Sequence, residues 1–240
     1  MKIKKEIFYF AVAFLLGVMA SARTLEYLGD IYTDKIMICS LKQVMETIFF
    51  SMNKECREYV DIKNVLLYRW MFLFYGLGLI MLGATYLKKS KKYNGFILNR
   101  CHNYKNAIKN IYGNNILNNI CYVFMFFFGI VIGYALNSGQ LYVNDGNYVY
   151  ILMFAIIKVI QFQIINLIMF VVYLKYNVSC SVMSGFVCVT VLVCLDIMFP
   201  LSLIFFDSNY MFVDAFIING IVFLILNQMI NRLKIDLEQG

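Results

Sequence analysis

The chain has 240 residues, is 62% hydrophobic and only 15% charged, and its mean hydropathy of +0.72 is far above that of a soluble domain of this length. A net charge of +7 does not point to nucleic acid, because the basic residues fall in short clusters between apolar runs, the pattern of loops at a lipid surface. With Pro once and Gly 14 times there is little material for linkers, so one all-α membrane domain over residues 1–240 is expected.

A spanning helix needs about 20 mostly apolar residues, and runs of that kind fall near 6–26, 65–87, 116–136, 148–174, 180–206 and 211–231. They predict a polytopic protein with six transmembrane helices. Lys2, Lys4 and Lys5, the first apolar run and Ala20-Ser21-Ala22 imitate a secretory signal with its cleavage site, but the segment is read as a retained first span. The 27–64 connection is the largest loop. Its acids, Asp30, Asp34, Glu46, Glu55, Glu58 and Asp61, offset its lysines, and Met37, Leu41, Val44, Met45, Ile48, Phe49 and Met52 form an apolar stripe. A helix resting on the outer leaflet or capping the bundle is expected there. Cys39 and Cys56 lie in the same loop, on the side read as external, and are a candidate disulfide. Tyr68, Arg69 and Trp70 read as an interfacial anchor at the outer face.

The 88–115 connection carries seven Lys and Arg and no acid, which places it in the cytoplasm together with Lys2, Lys4, Lys5, Arg232 and Lys234. Both termini are then cytoplasmic, and 137–147 and 207–210, with Asp145 and Asp207 and no base, are external. Within 93–111, Ile97, Cys101, Tyr104, Ile108 and Ile111 recur at steps of four and three, while Arg100, Lys105, Asn106 and Lys109 fall elsewhere. That is a basic amphipathic helix, expected to lie along the inner membrane surface.

Catalytic signatures are missing. The nearest approach to a phosphate-binding loop, Gly78 to Thr85, has Ala84 where the lysine belongs and lies inside a span. His102 is the only histidine and has no partners at zinc spacing, a GxSxG elbow is absent, and no CxxC pair exists. Cys101, Cys121, Cys180, Cys188 and Cys194 lie in or beside apolar runs, where a thiol behaves as a small hydrophobe. No enzyme activity, metal or cofactor bound by this chain is expected.

Lys158 and Asp196 are the charges deepest in apolar sequence, and a lone charge near the bilayer centre costs at least about 2.5–3.5 kcal/mol. Each lies about ten residues from the outer end of its span, at matching depth on antiparallel neighbours. They are expected to pair, with Gln161 near the lysine and Pro200 bending the fifth span beyond the aspartate. The pair can be structural or part of a substrate pathway. Gly129 and Gly133 form a GxxxG step in the third span, and Ser181, Ser184, Gly185 and Cys188 a small-residue face on the fifth, both suited to close helix packing or to a subunit interface.

Six spans, cytoplasmic termini and a basic amphipathic helix after the second span resemble the permease subunits of ABC-2-type transporters over nearly the whole chain. The long loop after the first span and the passage from LLYRWMFLFYG to GFILNRCHNYKNAIKNIYG look like the bacteriocin and lantibiotic export or immunity permeases. The resemblance implies alternating access driven by a separate cytoplasmic P-loop ATPase that binds the ATP, coupled through Arg100, Tyr104, Lys105 and Ile108. It also implies a second permease chain, identical or related, and a peptide or amphipathic cargo leaving the cell. A substrate-binding subunit of a vitamin or metal importer, and a non-transport immunity or scaffold protein, share the same gross architecture. Bias toward Asn, Ile and Lys suggests an AT-rich, bacterial genome and hence a bacterial cell membrane.

Overall fold

A computed structural model describes residues 2–31, 40–49, 69–88, 104–138, 145–198, 217–225 and residue 228. The described residues are helical apart from short turns, with no strand among them. In chain order the helices are α1 (Lys2–Ile31), α2 (Leu41–Phe49), α3 (Arg69–Lys88), α4 (Tyr104–Ser138), α5 (Asp145–Lys175), α6 (Val178–Met198) and α7 (217–225).

Four of them contain stretches long and apolar enough to cross a membrane: Glu6–Gly29, Arg69–Lys88, Asn115–Ser138 and Val149–Tyr173. These fit a membrane protein and agree with the first four runs read from the sequence. α6 carries a shorter apolar stretch, Val178–Cys194, and α7 is the described part of the sixth run. Large apolar side chains lie exposed along one side of each helix except α2. Examples are Leu15 and Met19 on α1, Phe124 and Phe128 on α4, Met183 and Val187 on α6, and Ile221 and Leu224 on α7. In water such a surface would aggregate; against acyl chains it is at its own solvent.

The closest pairing is α1 against α4. Gly17 of α1 sits on Gly129, and a methyl group added at Gly133 would fall 2.8 Å from the Val18 carbonyl oxygen and 3.0 Å from Ser21 Cβ. The GxxxG step therefore brings two helices of the same chain into backbone contact, which is where small residues gain the dispersion energy that lipid cannot supply.

α3 is interrupted by a π-helical turn over Leu79–Gly83, where the Ala84 N–H bonds to the Leu79 carbonyl five residues back. Glycines flank the turn. A Cβ at Gly78 would run into the Phe162 ring and fall 3.0 Å from the Tyr122 ring, and one at Gly83 would fall 3.1 Å from Asn166 Oδ1. The widened turn lets α5 approach the α3 backbone at that level. The α5–α6 hairpin closes at Tyr176 and Asn177, where the Asn177 side chain caps α6 through the Cys180 N–H at 2.8 Å, and Ser181 Oγ donates back to the Met169 carbonyl.

One element differs from expectation. The basic segment is not set off from the third span as a separate surface helix: Tyr104–Ser138 is one helix of 35 residues. At 1.5 Å per residue it is about 52 Å long, well beyond a hydrocarbon core of about 30 Å, so its first turns project from the bundle along the span's own direction. Residues 104–138 contain no proline to break the helix. Residues 93–103 of the segment lie outside the described residues. α2 is the helix expected in the loop after the first run. Leu41, Val44, Met45, Ile48 and Phe49 are at most 2% exposed, and Glu46 and Thr47 are buried as well. Lys42 and Gln43 keep part of their surface free, and the helix packs against α1, α3, α4 and α5.

Candidate functional site

α2 begins with a reciprocal cap. The Ser40 N–H donates to Gln43 Oε1 at 2.8 Å while the Gln43 N–H donates to Ser40 Oγ at 3.3 Å, satisfying two backbone donors at the helix start. From there nine residues carry the chain into the bundle and end on Phe49. Its ring contacts Phe74 of α3 (centroids 5.4 Å apart), stacks on Phe127 of α4 (5.5 Å) and meets Phe154 of α5 (5.2 Å). One side chain from a connecting segment thus joins three of the long helices. Aromatic pairs in such arrangements contribute about 0.5–1.5 kcal/mol each beyond the area they bury.

Directly against this ring is Lys158, with no exposed surface. On α5, Phe154, Lys158, Gln161 and Phe162 follow at steps of four, three and one, so they share a face. The Lys158 ammonium donates to Gln161 Oε1 at 3.0 Å and lies 4.8 Å from the Phe49 ring centroid and 5.2 Å from that of Phe154. The Tyr75 hydroxyl donates to the same Gln161 oxygen at 2.8 Å. An ammonium taken out of water needs hydrogen-bond acceptors and polarisable negative surface, and the site supplies an amide oxygen and two ring faces. Counted from Val149, the lysine is about 14 Å along the span, close to the middle of a hydrocarbon core.

The other side of α2 is tied separately. The Tyr150 hydroxyl donates to Glu46 Oε1 at 3.0 Å, the Lys42 ammonium lies 3.7 Å from the same oxygen, and it also lies 5.0 Å from the Tyr150 ring centroid. Burial pushes the Glu46 carboxyl above its ordinary range, and the Lys42 charge and the Tyr150 hydrogen bond pull it only partway back.

Below the Lys158 level the core changes character. On α4 the buried residues Asn115, Asn119, Tyr122 and Phe126 follow at steps of four, three and four, and on α5 Phe162, Asn166 and Met169 follow at four and three. The two stripes meet where the Tyr122 and Phe162 rings lie 5.7 Å apart, and Tyr122 donates to the Phe74 carbonyl at 2.9 Å. One turn further along each stripe come Asn119 on α4 and Asn166 on α5. Both side-chain atoms of Asn119, Gln163 and Asn166 are buried with no hydrogen-bond partner.

The remaining residues singled out in the sequence fall as follows. Asp196 is on α6, with its side chain outside the described residues. The Lys158 and Asp196 backbones lie about 26 Å and 27 Å from the α5–α6 turn, at equal depth on packed neighbours. Tyr104, Lys105 and Ile108 are on the projecting first turns of α4, with side chains outside the described residues, as are Arg100, Cys39 and Cys56 altogether. Arg69 stacks over the Trp70 ring at 4.8 Å, and Trp70 itself is buried. Sequence reading did not find Phe49, Tyr75 or Glu46 as partners of the site. The clue to Glu46 is an acid inside an apolar stripe.

No family model, curated protein or solved structure matches the chain. Among the described residues no group of three or more His, Cys, Asp or Glu side chains could hold a metal ion.

Proposed function

We propose that the chain is the six-span permease subunit of an ATP-driven exporter of the ABC-2 type, with both termini cytoplasmic, moving a peptide or amphipathic compound outward. A separate P-loop ATPase would supply the energy, and a second permease chain would complete the pathway. The observation that carries this reading is a fully buried lysine covered by the Phe49 ring of a short helix rather than only by the long apolar helices. Charges inside membrane bundles are costly, and where they persist they mark pathways for substrates and ions. Withdrawal of α2 would uncover Lys158 without dismantling any span. The projecting start of α4, with Tyr104, Lys105 and Ile108, is the natural seat for the ATPase, and Arg100 precedes it. The exposed cation would attract the anionic end of an amphipathic cargo as it leaves.

The test is purification of the tagged chain from its native host in mild detergent, with mass spectrometry of what copurifies and an ATPase assay. The expected result is a stoichiometric P-loop ATPase that is lost when Arg100, Tyr104 and Ile108 are replaced together. A chain that purifies alone and supports no hydrolysis would overturn the transporter reading in favour of a scaffold or immunity protein.

A further inference from the structure

The hydrogen-bonding capacity stranded at Asn119, Gln163 and Asn166 has no use in the structure as described. Each amide has both its donor and its acceptor atoms buried without a partner, and the three residues are 0%, 3% and 2% exposed. Buried polar groups in a membrane bundle are nearly always satisfied, because lipid offers them nothing. Leucine at these positions would fill the space without that penalty. Asn166 also sits beside the π-helical turn of α3: a side chain at Gly83, the last residue of that turn, would fall 3.1 Å from Asn166 Oδ1, and π-turns recur at functional sites. Aromatic rings close the layer from above, where Tyr122 and Phe162 meet at 5.7 Å.

We propose that Asn119, Gln163 and Asn166, the last of them beside Gly83, are the inner binding layer of the passage and take the uncharged amide groups of a peptide backbone. A carboxamide both donates and accepts, as a peptide group does, so it can satisfy a backbone that would otherwise cross the bilayer with unpaired N–H and C=O groups. The layer carries no side-chain charge of its own, which separates it from Lys158: the lysine suits an anionic end, the carboxamides suit the chain that follows. The packed amides favour any rearrangement of α4 against α5 that admits such a chain. The inference rests on the permease reading for its cargo, but its site stands on the stranded amides.

The experiment uses an N-acetylated, C-amidated peptide of alternating Ala and Leu carrying one benzophenone residue, photolysed with the full chain in liposomes. Competition is by the unlabelled peptide and by its ester analogue, which lacks the backbone N–H donors. Saturable labelling is expected, competed at least ten-fold better by the peptide than by the ester, and reduced at least ten-fold in Asn119→Leu/Asn166→Leu. That variant is expected to melt at or above the parent temperature, so loss of labelling will not reflect misfolding. Labelling that is unsaturable, or unchanged in the double variant, or equally competed by the ester, would overturn the proposal. Saturable labelling by a chain that recruits no ATPase would uphold the site and sink the exporter instead.

Discussion

Lys158 and Glu46 are both buried charges, and they make different predictions. Lys158 has its amide acceptor and two ring faces, and Asp196 stands at the same depth on the neighbouring helix. If the two carboxylate and ammonium groups are partners, Lys158→Asp or Asp196→Lys alone should lose about 3–5 kcal/mol, the usual cost of stranding a buried charge. The double reversal should regain most of it, read as yield and melting temperature in detergent; a double variant no better than either single would refute the pairing. Glu46 has Lys42 beside it, but burial outweighs that pairing and turns its titration the opposite way from an acid held mainly by a cation. Its carboxyl is raised in the folded chain, so the folded state holds the proton more tightly than the unfolded one. The associated stability is complete below the ordinary value of 4.5 and is lost as pH rises from there through the raised value. Melting temperature should therefore fall over that window, and Glu46→Gln should flatten the slope and melt higher than the parent at neutral pH. A slope unchanged in Glu46→Gln would assign the pH dependence elsewhere.

At the scale of elements, α2 and the α1–α4 pair can be separated by mutation. Phe49→Ala removes the ring that joins α3, α4 and α5, and a cost of about 3–5 kcal/mol is expected from the cavity it leaves. In that variant a cysteine at Phe154 should react with an impermeant thiol reagent added on the α2 side, where in the parent it should not. Gly133→Ala forces a methyl group against the Val18 backbone, and should cost about 1–3 kcal/mol with no effect on that reactivity. The positions of the long helices were legible in the sequence because a bilayer sets a minimum apolar length: the runs at 65–87 and 148–174 correspond to Arg69–Lys88 and Val149–Tyr173. The depth of α2 was not. An amphipathic stripe looks the same whether its apolar face meets lipid or protein, and only the burial of Glu46 and Thr47 on its other side distinguishes the cases. Asn119 and Asn166 escaped notice for a related reason. Their amides are outweighed by neighbours such as Tyr122, Val123, Ile165 and Leu167 in any windowed measure, and their significance depends on the meeting of two stripes far apart in sequence.

For the whole molecule, the proposed six-span arrangement predicts that reporters fused at either terminus respond as cytoplasmic and those inserted in 137–147 as external; opposite responses at the two ends would rule out an even number of spans. The length of α4 then has a mechanical meaning. Its contact with Gly17 at Gly129 lies about 38 Å from Tyr104 and about 14 Å from Ser138, so α4 is a lever with an unequal fulcrum. Phe127, which stacks on Phe49, lies only about 3 Å from that fulcrum, so a push at Tyr104 would be geared down nearly three to one at Ser138 and would leave the Phe49 contact almost in place. A pair of glycines inserted beside Gly113 would leave the bundle intact while turning that stiff rod into a slack one.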